Sequence, residues 1–223
     1  MLKRMIVPLL IGLIGIAILV SLGRWQVQRM GWKQGILAQI EADIAADPVP
    51  LPAMISIDMK HLPVQATGTI GAEELHVLVS RKSDGAGYRV IAPFTLDDGR
   101  RVLLDRGFIP LDEKDTARPA QTGVTIVGNL HWPDDMNSST PQPDFDRNIW
   151  FGRDIGAMAT TLSTSDVLIV ARQDTGQAIE AMPLGVEGIP NDHLHYAITW
   201  FSLALVWLGM TLFLLWRIKT RTV

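Results

Sequence analysis

Two apolar runs bracket this chain, and they limit its architecture more than any other feature. The first, "MIVPLLIGLIGIAILVSLG", covers residues 5–23; the second covers residues 194–216, inside "HLHYAITWFSLALVWLGMTLFLLWRIK". Each is close to the roughly 20 apolar residues that a helix needs to cross a bilayer core. Pro8 fits this reading, because the first turn of a helix makes no use of the N–H that proline lacks. A cleaved signal peptide is the other reading of the first run. Such segments have an apolar core of about 7–15 residues and a small-residue cleavage site. This run is longer and no A-x-A site follows it, so an uncleaved anchor is predicted.

The flanks predict orientation. Lys3 and Arg4 precede the first run, and Arg217, Lys219 and Arg221 follow the second, with no acid among them. Basic residues stay on the cytoplasmic side, so both termini are predicted cytoplasmic, residues 217–223 forming a short tail. Residues 24–193 then lie on the opposite side. With the five tail residues set aside, fifteen of the 20 basic residues remain against 23 acidic ones. The middle is therefore acidic, which speaks against a nucleic-acid partner. No Arg- and Ser-rich presequence stands ahead of the first run. The simplest setting is a bacterial cell inner membrane, spanned twice, with a periplasmic central domain and the lipid bilayer as a partner.

The central stretch begins with "GRWQVQRMGWKQGILAQIEADIAAD", where Trp25, Arg29, Trp32, Ile36, Ile40 and Ile44 recur near helical spacing. An amphipathic helix is predicted, with Trp25 and Trp32 at the headgroup level. The prolines of "DPVPLP" end it. Beyond lie short runs of strand character: "VQATGTI", "ELHVLVSR", "YRVIAPFTL", "RRVLLDRGFIP", "VTIVGNLHW" and "DVLIVARQD". The "DDG" between two of them is a hairpin signal. "DIGAMATTL" predicts a short helix beginning near Asp154, and "PDDMNSSTPQPDFDRN" predicts a loop. The predicted fold class is a membrane protein in which two transmembrane helices flank a mainly antiparallel β (α+β) extracytoplasmic domain.

Enzyme signatures are scarce. There is no G-x-S-x-G elbow, no H-E-x-x-H and no phosphate-binding glycine loop, and "SDGAGYR" reads as a tight turn. With no cysteine, thiolate metal sites and disulfides are excluded. The nine methionines form no M-x-x-M cluster, which leaves little basis for copper transfer. A non-enzymatic role is expected. His61, His76 and His131 lie in or beside strands, where a lone histidine is usually a packing or surface residue.

His193 and His195 stand at the mouth of the second span, just after Asn191 and Asp192, which are natural helix N-caps. Two residues apart, they do not share a helix face, so they do not clamp one metal together. Two readings of His193 remain open. It is an interfacial anchor bonded to a neighbour, or it is an axial ligand for a flat apolar cofactor such as haem, whose iron takes a neutral imidazole nitrogen. In the second reading Trp200 and Phe201, one or two turns below, contact the ring.

Several stretches together resemble one family. "LGRWQVQRMGWKQGIL" is similar to a pattern of Leu-Gly-x-Trp-Gln followed by Arg and Lys. "VLLDRGFIP" resembles a strand usually reading Val-Leu-Val-Asn-Arg-Gly-Trp-Val-Pro; Asp105 and Phe108 depart from it, and Arg106 matches its Arg-Gly pair. "VTIVGNLHWPDD" and "NIWFGRDIGAMA" match two further blocks, and "NDHLHYAITWFSLALVWLGM" resembles the closing signature Asn-x-His-Leu-x-Tyr-Ala-x-Thr-Trp-Phe. In this pattern the chain resembles the Surfeit locus protein 1 family of cytochrome c oxidase assembly factors, from about residue 22 to residue 210. The resemblance implies a role in maturing haem-copper oxidase subunit I, by binding haem a and assisting its delivery from haem a synthase. It places the family histidine on His193 and a variable position on His195. Arg24 and Arg106 are the basic residues expected to meet haem propionates. The alternative is a scaffold without haem that stabilises subunit I during assembly.

Overall fold

The computed structural model describes residues 2–186 and 189–220, with side chains from Met5 onward. The side chains of Lys3 and Arg4, and all of Arg221, lie outside the described residues. The chain divides into two compact units: Met1–Gln39 with Val186–Val223, and Ile40–Gly185.

The first unit is a helix pair, formed by α1 (Leu2–Ala45) as far as Gln39 and by α3 (His193–Thr220). Both are long and apolar enough to cross a membrane, and almost none of the most apolar stretch of either is buried. Ile11, Ile14, Ile18, Leu205, Val206 and Phe213 all stand exposed. A water-soluble helix pair would not present such a surface, and hydrocarbon is the solvent that suits it. What packs instead is a seam of small residues. A Cβ added at Gly23 would lie 2.7 Å from the Phe201 ring. At Gly12 and Gly15 an added Cβ would run into Thr211 and Trp207. The Trp207 indole Nε1 donates to Gly12 O at 3.2 Å. Small residues let two helices approach closely, and that close contact replaces the hydrophobic drive that lipid cannot supply.

The amphipathic helix expected after the first span is present as the continuation of α1. Its packed face differs from the expected one. Of the expected stripe, Ile40 and Ile44 are half-buried but Trp25, Arg29, Trp32 and Ile36 are exposed, whereas Gly23 and Gln26 are buried and Met30, Lys33 and Leu37 half-buried. These latter positions alternate in steps of three and four, the spacing of a helix seam. The bulky residues suggested another stripe because large apolar side chains outside a bilayer core need not face protein. The Lys33 ammonium donates to Pro190 O within this unit, and Arg29 stacks over the Trp32 ring at 4.0 Å.

The second unit is a small barrel. Its strands are β1 (Val49–Pro50), β2 (Pro63–Ile70), β3 (Leu75–Arg81), β4 (Gly85–Leu96), β5 (Arg101–Pro110), β6 (Gln121–His131), β7 (Ile149–Trp150) and β8 (Leu168–Ala171), with α2 (Ile155–Leu162) before the last. The sheet order is β1-β2-β6-β8-β5-β4-β3-β7, and β2 also pairs with β4. That extra pairing, Gly68–Ile70 against Phe94–Leu96, closes β2, β6, β8, β5 and β4 into a ring. The long β4 makes this possible: its first part pairs with β3 and its last part with β2. Most pairings are antiparallel, as expected; β1–β2, β3–β7 and β5–β8 are parallel.

Alternation along the strands sorts the core. Ala92, Phe94, Val102, Leu104, Ile126, Leu130, Ile169 and Ala171 form one cluster. Their neighbours Ile91, Leu103, Leu168 and Val170 belong to a second, under Met158, Ala159 and Leu162 of α2 and beside Trp150. Each of the Val, Leu, Ile, Phe and Met side chains among them contributes about 1.5–3 kcal/mol when fully buried. α2 starts where predicted: Asp154 Oδ1 accepts from the Ala157 N–H at 3.1 Å. The "DDG" turn joins β4 to β5, with Gly99 at φ 87°. The two-residue strands β1 and β7 are too short to show any alternation in sequence.

Candidate functional site

His193 is the first residue of α3 and is half-buried. Across the pair, its Nδ1 lies 2.8 Å from Gln26 Oε1 on α1. Gln26 is only 9% exposed, so its amide has little water to turn to. A buried polar group left unpaired costs about 1–3 kcal/mol, and the imidazole offers the partner. With an amide oxygen as acceptor, Nδ1 is the donor, and a neutral imidazole so bonded keeps its lone pair on Nε2. The imidazole is thereby oriented as metal-binding histidines generally are, one nitrogen tied to a neighbour and the other available. Among the described residues no three His, Asp or Glu side chains gather in a metal cage, so His193 offers a single imidazole.

The other expected residues fall in different places. Phe201 packs its ring edge on Gly23 and is 37% exposed. Trp200 is half-buried, two turns along α3 from His193. His195 is exposed, with its ring 6.3 Å from Tyr196; it is not brought to the Gln26 contact. Arg24 is exposed on α1, two residues before Gln26 and therefore on another face.

Arg106 belongs to the other unit and is 1% exposed. It is the extra residue of a β-bulge: Ile91 pairs with Asp105 and Val90 with Gly107, leaving Arg106 unpaired on β5. Its Nε donates to Thr175 Oγ1 at 3.0 Å, Nη1 to Glu74 Oε1 at 3.1 Å and Nη2 to Gln177 Oε1 at 2.8 Å. Glu74 also accepts from Arg118 at 3.3 Å. Burial pushes the Arg106 guanidinium below its ordinary value, with Glu74 pulling the other way. This is a buried charge network, and removing Glu74 would strand the charges of Arg106 and Arg118 in the interior. Beside it, Asp105 bonds Arg89 at 2.5 Å and Arg153 at 3.4 Å.

Gln26 is the residue that the sequence reading passed over. Its signal was its place: three residues after Gly23 and four before Met30, in the seam of α1.

The model of the SURF1 family matches residues 13–205, which span Gln26, the whole barrel and His193. The chain belongs to the SURF1 family. Surfeit locus protein 1 of Rattus norvegicus is 30% identical over 209 residues, covering 82% of this chain and 67% of that protein. The SURF1-like protein of Rickettsia felis is 30% identical over 207 residues, covering 88% of this chain and 91% of the relative. That of Rickettsia bellii is 28% identical over 222 residues, covering 95% and 90%. Bacterial SURF1-like proteins thus match this chain along nearly their whole length.

Proposed function

We propose that this SURF1-family chain assists cytochrome c oxidase assembly as a membrane-anchored haem a chaperone for subunit I. The observation that carries the reading is the Gln26–His193 hydrogen bond. It holds one imidazole at the start of α3, with no hydrogen bond to Nε2 among the described residues. Haem, when bound, supplies an iron that accepts such a nitrogen. Trp200 and Phe201 offer apolar surface further along the same helix, and Arg24 offers an exposed positive charge for propionates. Arg106 is left to its network with Glu74, because its donors are already engaged. A single displaceable imidazole suits a carrier, which must release its cargo to a client. In this reading both termini are cytoplasmic, the barrel faces the periplasm of a bacterial inner membrane, and haem a synthase is the donor.

Pigment is the test. Protein purified from cells that make haem a is expected to carry a Soret band. His193→Ala should remove it, and Gln26→Leu should weaken haem binding about 10-fold or more, as loss of a ligand's supporting partner generally does. A colourless wild type would favour the scaffold that stabilises subunit I without haem. An unchanged spectrum and affinity in His193→Ala would remove that residue from the site.

A further inference from the structure

α1 carries a second stripe, distinct from the seam it shares with α3. Beyond the first span, Trp25, Arg29, Trp32 and Ile36 recur in steps of four, three and four, and all are exposed. The same face runs back through Ile18, Ile14 and Ile11, which are exposed as well. At 3.6 residues per turn these positions fall within about 60° of one another, and about 100° round the helix from the seam of Gly23, Gln26, Met30 and Lys33. Between residues 28 and 39, the bulky apolar side chains that are exposed lie on this stripe. The other exposed residues there are Gln28, Gly31, Gln34, Gly35, Ala38 and Gln39.

Lipid accounts for one end of the stripe and not for the other. Ile11, Ile14 and Ile18 lie inside the apolar run, where hydrocarbon suits them. Arg24 is the first charged residue after that run and marks the bilayer edge. At 1.5 Å per residue, Trp32 stands about 12 Å and Ile36 about 18 Å further along α1. The headgroup layer on each face is only about 5–8 Å thick. Trp25 therefore sits at the headgroup level expected of it, whereas Trp32 and Ile36 stand beyond that layer. They are 53% and 40% exposed, and an apolar row of this kind outside lipid marks a protein contact.

The charge pattern describes the partner. α1 has no acidic residue before Glu41, while Arg24, Arg29 and Lys33 are basic. Lys33 is turned to the seam, where it donates to Pro190 O. Arg29 is on the stripe, its guanidinium 4.0 Å over the Trp32 ring. The helix offers it no carboxylate three or four residues away, the spacing at which one would pair with it. A second copy fits poorly. Two copies inserted the same way would pair α1 with α1 about a two-fold axis and set Arg29 against its own counterpart. A helix bearing a carboxylate at that height matches instead, and tryptophan and arginine are the residues that most often dominate such contacts.

We propose that a transmembrane helix of another membrane protein packs along this stripe and continues past the bilayer, its apolar side covering Trp32 and Ile36 and an Asp or Glu meeting Arg29. In the full-length protein, in the membranes of the cells that make it, a benzophenone amino acid replaces Ile18, Ile36 or Gln34. After irradiation the linked peptides are sequenced. Ile18 and Ile36 lie on the stripe, about 27 Å apart along α1, and Gln34 lies on the opposite side. The expected result is that positions 18 and 36 link to one transmembrane helix of one partner, at sites about 18 residues apart with an acidic residue between them. Position 34 should give no such link. Arg29→Glu should cut the link from position 36 about 10-fold or more, because it sets like charges together, and Arg29→Lys should keep it. A link from position 36 to a second copy of this chain, no link from it at all, an equal link from position 34, or an undiminished link in Arg29→Glu overturns the proposal. The inference rests on the two spans and not on haem. His193→Ala should leave the links unchanged, so this reading and the haem reading fail separately.

Discussion

At the residue scale, His131 shows how burial sets a pH limit. Its ring lies stacked 6.1 Å from His61 at the end of β6. Burial, with the positive charges of Arg153 and Lys60, pushes its pKa down to about 3. In the unfolded chain the same ring takes up a proton near pH 6.5. Between those values the unfolded state binds the extra proton, so stability falls as pH falls through that window and is unaffected above it. The loss is at most about 1.4 kcal/mol per pH unit. Urea unfolding of wild type and His131→Gln at pH 7 and pH 5 checks this: wild type should lose the more stability on acidification, and parallel losses would refute the assignment. Residues of this kind are only half legible in sequence. His193 is marked by its place at the mouth of an apolar run. Gln26 is not, because a glutamine near a membrane surface looks like any solvated residue until its partner on another helix is known.

At the element scale, the bulge on β5 depends on Gly107. Its φ of 123° is one that L side chains rarely adopt, and a Cβ there would lie 2.9 Å from Ala181 Cα and run into the Glu180 carbonyl. Phe108 and Glu180 exchange backbone bonds at 2.7 and 3.1 Å alongside, so the neighbouring chain cannot easily withdraw. Gly107→Ala is expected to cost about 2 kcal/mol or more. Gly85→Ala, also at positive φ but facing open space, should cost only about 1 kcal/mol. Melting curves of the two variants test the difference, and equal losses would mean that the bulge can relax. The longer strands and α2 were legible because alternation and an Asp cap are local signals. The bulge was not. It inserts one residue against a partner strand, and only the pairing reveals that Arg106 faces the interior network and not solvent.

At the scale of the whole molecule, the unit Ile40–Gly185 contains all three apolar clusters of the barrel. It also contains the bonds that fix the end of α1, where Asn129 Nδ2 donates to Ile44 O at 3.0 Å and Arg172 donates to Ala46 O at 3.2 Å. Residues 40–185 expressed alone are therefore expected to fold as a soluble β protein. A cooperative thermal transition by circular dichroism with dispersed amide resonances is the expected result; a gradual, featureless melt would show that the helix pair is needed. The two spans and the β-rich middle could be read from hydropathy and composition. Ring closure could not, since it depends on which distant segments pair.

The position of β8 has a consequence for synthesis. This strand, the last of the eight, sits between β5 and β6, two strands made well before it. As the polypeptide emerges, those two flanks wait with bare backbone until residues 168–171 arrive and seal the circle. Exposed strand margins invite pairing with other nascent chains. A premature stop anywhere before that short tetrapeptide would leave a product that is unfinished and sticky, not merely shortened.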